Sequence, residues 1–369
     1  MVLAVLSEID APRIQQLRIA RGLTQKELAD TLNLPQAAMS RMLSGHSAPS
    51  AELLGPLATM LGCDEKLLGR PVTEHLYTRP WLRAYADAPK KTVDQIVNDT
   101  LLAVEAFEAL NLRRIPERVP TFAGDPLDDD AIDEFAADVR AAAEVNAPHV
   151  PNVTRAAERL GCIVLPMAGE LGKHLGMSMY VDGTPVVRVA RPAAHLPGDR
   201  QRFTTAHELG HLSMHAASPP PDTAAEAKDI ERQAHRFASA FLLPAEPFLG
   251  DLEAMGGRVT LTTLSKLKAK WGVAIKAMVV RLRQLHRIDA DQARSLYKQI
   301  SARGWNKNEP VEVVSEEAVW LSQAMARRFP DQDPPARAAE QTGLRRTFFD
   351  DWVDWSPATE ATVITFPGR

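Results

Sequence analysis

Apolar positions recur at three- and four-residue spacing through most of the chain, and only one short stretch breaks into β-type runs. Residues 8–70 read as short amphipathic helices joined by tight turns. A longer helical pattern covers 93–112, then stops in a stretch broken by Pro116, Pro120, Gly124 and Pro126. Asp125 and Asp128 to Asp130 lie in and after it, and prolines with like charges at that density predict a linker or surface loop. Helical spacing returns over 131–143 and again over 153–160, ending at Gly161. Residues 162–167 read as a buried strand. Two further β-prone runs, 177–181 and 186–190, flank Asp182 and Gly183, a pair suited to a type I′ turn because both residues tolerate positive φ. Pro185 cannot donate to a ladder, so its strand is expected at a sheet edge, where it could receive an extended peptide. Long helices are expected over 200–215 and 224–243. The pattern is that of helices around a small sheet.

A chain of 369 residues exceeds one ordinary domain. Its 45% apolar and 24% charged residues are those of a soluble protein. A net charge of −4 excludes an overall basic nucleic-acid binder but leaves room for a local basic face. Cys63 and Cys162 form no CxxC pair, which argues against a disulfide scaffold and a thiolate zinc site and suits a reducing compartment. The first ten residues lack the basic start and cleavage site of a signal peptide, and the apolar run 237–243 stops at Pro244, far short of a membrane span. A cytoplasmic protein without membrane contact is expected.

The segment RQRFTTAHELGHLSMH, residues 200–215, carries the chemistry. His207 and His211 are four apart, hence about 40° apart around a helix and ~6 Å along it, so both imidazoles can reach one metal ion. Glu208 sits beside them, where its carboxylate can hold a water at the metal rather than bind the metal itself. Gly210 allows close approach by another backbone or a substrate. In the next helix Glu231, Ala234, Ala238 and Phe241 form one stripe, with the carboxylate at its head. Two histidines and a glutamate make the three protein ligands of a catalytic zinc, Zn2+, with a fourth position open. Tyr180 and His235 are candidates for a second donor to the developing oxyanion.

RFTTAHELGH, followed some twenty residues on by ExxAHxFAxxFLLP, resembles the ImmA/IrrE family of bacterial metallopeptidases, over roughly residues 73–310. The resemblance implies a zincin-like domain with His207, His211 and Glu231 as ligands and Glu208 as catalytic base. Where the family often has Asn or Asp four residues after the ligand glutamate, this chain has His235, either a partner that orients a ligand or a competing ligand. His215, one turn past His211, reads as a helix-end residue favoured by the dipole.

Residues 13–62 contain GLTQKELA and a short polar helix after a tight turn. Thr24 is a good N-cap, Leu28, Ala29 and Leu32 give a buried face, and Pro35 can start the next helix. Met39 and Met42 are expected inward, with Gln36, Ala37, Ser40 and Arg41 outward. The segment resembles the Xre/Cro-type helix-turn-helix, which implies phosphate contact by Gln25 and base reading from Gln36 and Ala37. Arg18 is present in helix one, but Leu43 stands where a partner glutamate is common. The module's charges nearly cancel.

A basic run follows at 258–287, with Arg258, Lys266, Lys268, Lys270, Lys276, Arg281, Arg283 and Arg287 in a helix-turn-helix-like pattern. It reads as a solvated face or a second nucleic-acid contact. Trp305, Trp320, Trp352 and Trp355 mark 291–369 as a helical region whose tryptophans belong to its core.

The expected architecture is multidomain and mostly α. A five-helix Xre-type domain (1–70) is followed by a helical connector and Pro/acidic linker (71–128). An α+β zincin-like peptidase domain with a small antiparallel or mixed sheet (129–250) comes next, then a basic helix-turn-helix-like element (251–290) and a helical C-terminal region (291–369). The expected function is a zinc endopeptidase that regulates transcription by cleaving a protein regulator such as a repressor. The alternative is a DNA-binding transcription regulator whose peptidase-like domain is a sensor or scaffold. DNA and a protein substrate are the expected partners, and binding to paired half-sites would make the chain a homodimer.

Overall fold

The computed structural model describes residues 9–81, 89–167, 175–193, 196–219 and 221–356. The apolar start of the chain and the last part of the expected C-terminal region lie outside them.

In chain order the helices are α1 (Ala11–Ala20), α2 (Gln25–Thr31), α3 (Gln36–Leu43), α4 (Ala51–Leu61), α5 (Lys90–Ala109), α6 (Asp129–Ala142) and α7 (Val153–Arg159). Three strands follow, β1 (Ile163–Pro166), β2 (Gly176–Val181) and β3 (Thr184–Val189). Then come α8 (Gly198–Met214), α9 (Ala224–Leu242), α10 (Ala245–Ala254), α11 (Leu261–Trp271), α12 (Ile275–Gln284) and α13 (Ala290–Ala302). The last three are α14 (Trp320–Arg328), α15 (Pro334–Thr342) and α16 (Arg346–Val353). The mostly helical class with a small sheet is as the periodicity predicts. The fifth element of the amino-terminal module is a 3-10 turn, Leu67–Gly69, not a full helix.

The chain divides into two compact units that cut across the segments expected from the sequence. One comprises 1–117, 161–188 and 319–354, the other 118–160, 189–318 and 355–369.

In the first unit, Asp10 caps α1 and Thr24 with Glu27 forms a capping box on α2. Ile14, Leu17, Leu28, Met39, Leu57 and Leu61 close the small core. Arg13 is wholly buried on α1, and its guanidinium donates to both Glu105 oxygens on α5 at 2.7 and 2.8 Å and to the carbonyls of Arg70 and Pro71. The buried arginine of helix one is thus Arg13, and its carboxylate comes from α5 rather than from helix three. Arg18 instead donates to Gln15 and to the Leu23 carbonyl. One turn and a half earlier on α5, buried Asp99 accepts from Arg188 of β3 at 2.5 Å and from the Trp352 indole of α16 at 3.1 Å. Residues 62–64 pair with 343–345, through Asp64 N–H to the Gly343 carbonyl and Arg345 N–H to the Gly62 carbonyl. The carboxy-terminal helices therefore complete the unit that begins with the helix-turn-helix. Trp320, Trp352 and Trp355 are buried as expected, while Trp305 is only half-buried.

The sheet order is β1-β3-β2. Asp182 and Gly183 both have positive φ, as the hairpin reading requires. β3 is the central strand, so the expected edge position of Pro185 does not hold. Pro185 lies opposite Tyr180, whose own N–H points away from β3 to Thr78 Oγ1 at 2.9 Å. At that non-hydrogen-bonded pair β2 asks for no donor from Pro185. The other side of β2 is taken by Tyr77 and Trp81, which bridge to Val181 and Ser178, so peptide addition at β3 has no structural basis.

In the second unit, Asp128 caps α6, and Asp129 and Asp133 pair with Arg232 and Arg236 of α9. The acidic cluster thus begins a helix and an ion-pair network rather than a slack loop. The breaker-rich segment is also held: Arg118 N–H donates to the Leu160 carbonyl and Phe122 N–H to that of Ser213. The first turns of α8 are locked by buried charge. Arg202 pairs with Glu316 and donates to the Val150 and Gly272 carbonyls, while Lys268 joins Asp199 and Glu309.

Candidate functional site

Helix α8 presents His207, Glu208 and His211, all at most 4% exposed. Helix α9 packs across it, with Ala234, Phe237, Ala238 and Phe241 fully buried, and brings Glu231 to the two histidines. His207 Nε2 and His211 Nε2 are 3.1 Å apart. Each lies 3.4 Å from an oxygen of Glu231. Bonds of ~2.0–2.1 Å at tetrahedral angles put neighbouring donor atoms ~3.3 Å apart, so these three separations fit the edges of a zinc tetrahedron. Glu231 Oε2 is shut from solvent and forms no hydrogen bond, as a donor atom reserved for a cation would. Burial works against the Glu231 carboxylate, but the facing imidazoles of His207 and His211 outweigh it and hold the carboxyl well below its usual range. A carboxylate that stays ionised and two facing imidazoles suit a divalent metal.

His235 also reaches the cluster. Its ring is 4.6 Å from that of His207, and donor atoms of His207, Glu231 and His235 all lie within 4.8 Å of one another. It rests against Phe203, half-buried. Tyr180 is placed on β2 of the first unit, where burial, then Cys162 and Glu117, push its phenol up, so it stays protonated.

Gly210 has an assigned neighbour. A Cβ there would lie 2.8 Å from Phe237 Cδ1 and 3.4 Å from the Ala234 carbonyl, so the glycine lets α9 rather than a substrate come close. Phe237 is itself fully buried against Phe135 and Phe241. Gly210→Ala is expected to cost about 1–3 kcal/mol in overpacking, offset by about 1 kcal/mol of helix propensity. It should also weaken zinc binding, because α8 and α9 carry the donors. Wild-type zinc affinity in this variant, by competition with a chelator, would show that the helix spacing is unimportant.

The sequence did not single out Gln233 or the burial of His215. His215 caps the end of α8 as expected, but it is 3% exposed, and burial, then the adjacent His211, push its pKa down to about 3 against the opposing Gln233. Burial thus disfavours the cation that would complement the helix dipole. Its Nδ1 is 3.0 Å from His211 Nδ1, and its Nε2 is 2.9 Å from Gln233 Oε1. The available signal was a third histidine continuing the four-residue spacing.

On the amino-terminal module Gln36, Ala37, Ser40 and Arg41 are exposed along α3, with Met39 and Met42 buried. Gln25 opens α2, half-buried, and its amide makes a long 3.5 Å contact to the Gln36 carbonyl. The basic run does not form one solvated face. Lys268 and Arg281 are buried, the latter against Asp133 and the Leu243 carbonyl, and Lys270 and Arg287 pair with Asp251 and Glu253. Arg258, Lys266, Lys276 and Arg283 remain exposed. Among the described residues no helix is long and apolar enough to cross a membrane.

Residues 14–68 match the helix-turn-helix family model, and residues 157–283 match the model of the IrrE N-terminal-like domain, a metallopeptidase family. The chain therefore joins an Xre-type helix-turn-helix DNA-binding domain to an IrrE-like, peptidase-like domain. It is similar to the propionyl-CoA carboxylase regulator of Cereibacter sphaeroides, with 25% identity over 341 residues that cover 79% of this chain and 70% of the relative.

Proposed function

We propose that the chain is a cytoplasmic DNA-binding transcription regulator carrying a zinc peptidase centre, and that it acts by cleaving a protein regulator such as a repressor. The observation that carries the centre is the set of 3.1, 3.4 and 3.4 Å separations among His207, His211 and Glu231. These three would hold the zinc, with His235 beside them as an orienting partner. A bound zinc would supply an activated water and polarise a peptide carbonyl. Glu208, one residue from His207, takes the proton from the attacking water and returns it to the leaving amine. Zinc content, then repressor cleavage with and without chelator, tests the reading. A zinc-loaded protein that cleaves no repressor present at its own promoters would overturn it.

A second reading keeps the metal centre but makes it a sensor or scaffold. The similar protein is named a regulator, and here the helix-turn-helix is fastened through Arg13–Glu105 and residues 62–64 into one compact unit. Loss of promoter regulation in a zinc-free variant, with no cleavage in the wild type, is the result that would favour it.

For DNA, α3 reads bases through Gln36, Ala37, Ser40 and Arg41, with Gln25 on phosphate, and two copies bind paired half-sites. Arg41→Ala is expected to weaken binding to a site selected from random duplexes by about 1–3 kcal/mol, and wild-type binding should fall steeply with salt. Equal affinity of the two proteins across a salt titration would move the reading face away from α3.

A further inference from the structure

We propose that Lys90 and Lys91 of α5 extend the DNA face of the helix-turn-helix by contacting the phosphate backbone beside α2. The proposal rests on the DNA reading above and adds to it a contact surface from outside the helix-turn-helix itself.

The face made by α2 and α3 is short of positive charge. Lys26 and Arg41 are its cations, and Glu27 and Asp30 cancel them. On α1, Arg13 is buried against Glu105, Arg18 is turned to Gln15 and the Leu23 carbonyl, and Arg21 lies 5.3 Å over the Phe348 ring. Duplex DNA carries one negative charge per ~1.7 Å of its axis, and cations on phosphate supply the sequence-independent part of binding. In a helix-turn-helix the second helix reads bases while the first crosses the backbone. Helices α2 and α3 have no net charge of their own to offer it.

Helix α5 is placed to supply that charge. A Cβ at Gly22 would lie 2.8 Å from Gln95 Oε1, so the turn that enters α2 rests directly on α5. Lys91 Nζ lies 3.9 Å from Glu27 Oε2, the same oxygen that accepts from the Thr24 N–H at 2.7 Å. The ammonium therefore stands where α2 begins, close to the Gln25 amide and the Gln36 carbonyl that it meets at the start of α3. Lys90 and Lys91 are both exposed, and an exposed pair as loose as Lys91–Glu27 contributes little to folding. Their position even opposes folding. Both lie in the first turn of α5, where the helix dipole disfavours cations, and that turn holds no acidic residue to offset them. Two solvent-facing lysines set against the dipole do not stabilise α5, whereas a polyanion crossing beside α2 gives both a partner.

The test uses the full-length chain, a duplex that it selects from random sequences, and an unrelated duplex of equal length. Replacing both lysines together, Lys90→Gln with Lys91→Gln, should weaken binding to the two duplexes by the same factor, since phosphate contacts carry no sequence information. The slope of log affinity against log salt should fall by about 2, which shrinks the wild-type advantage about tenfold between about 50 and 200 mM salt. Lys90→Arg with Lys91→Arg should keep the wild-type slope. Thermal unfolding of the glutamine variant should come no earlier than that of the wild type, because the removed charges oppose the dipole, and lost affinity is then not lost folding. An unchanged salt slope in the glutamine variant, or a loss confined to the selected duplex, overturns the proposal and leaves the DNA reading standing. Wild-type protein that binds neither duplex at low salt removes both.

Discussion

Protein carrying Glu208→Gln is expected to keep about one zinc per chain and to lose peptide hydrolysis by about 10²–10⁴-fold. The substitution preserves the shape of a residue buried beside His207 while removing its ability to take a proton. Glu231→Ala should behave oppositely and lose the metal. It deletes the carboxylate 3.4 Å from both imidazoles and leaves a two-histidine site with two of the three tetrahedral edges gone. His207→Ala and His211→Ala should also empty the site. Metal analysis of the purified variants, with hydrolysis measured on the same samples, separates the two behaviours. Full zinc occupancy in Glu231→Ala would remove Glu231 from the ligand set and move the third position to His235, whose ring lies 4.6 Å from that of His207.

The second large effect is on stability. Arg13→Ala should destabilise the first unit by about 3–5 kcal/mol, because it leaves a carboxylate and two carbonyls without their shared cation in a closed interface. The Arg13 side chain is wholly buried and Glu105 is 15% exposed. Replacing both by apolar residues of similar volume should recover much of the loss, since the pair's own desolvation cost disappears with it. Urea unfolding of the full chain, followed on the amino-terminal unit, measures both. A shift under about 1 kcal/mol for Arg13→Ala would mean that the pair behaves as an exposed one. A fragment ending at residue 70 would lack Glu105 and the strand-like pairing with 343–345, so it should be markedly less stable than the same residues in the whole chain. DNA-binding assays on such a fragment should therefore be read beside its folding.

Much of the molecule was legible along the chain because the signals are local. Capping residues such as Thr24 and Asp10, the Asp182–Gly183 turn and the four-residue spacing of His207 and His211 act within one or two helical turns. The stripe of α9 that ends on Phe241 is likewise a local periodicity, and it puts Glu231 on the face that meets His207 and His211. The acidic start of α6 was equally local and could have been read, since Asp128 followed by Asp129 and Asp130 is a capped and dipole-matched helix start.

What the tertiary structure decided is which distant group answers each of these. A buried arginine needs some carboxylate, but nothing near Arg13 in sequence says that it is Glu105, 92 residues away. A basic run reads as a face until Asp133, Asp199 and Glu309 arrive to bury two of its members. Pro185 suggests an edge until the sheet order places β3 between two other strands. His215 is an ordinary helix-end histidine until Gln233 meets it from another helix, 2.9 Å from its Nε2, with His211 on its other side. Periodicity and capping are set by a few neighbouring residues, whereas the partner of a buried polar group is chosen only when the chain closes and water is no longer available to take its place.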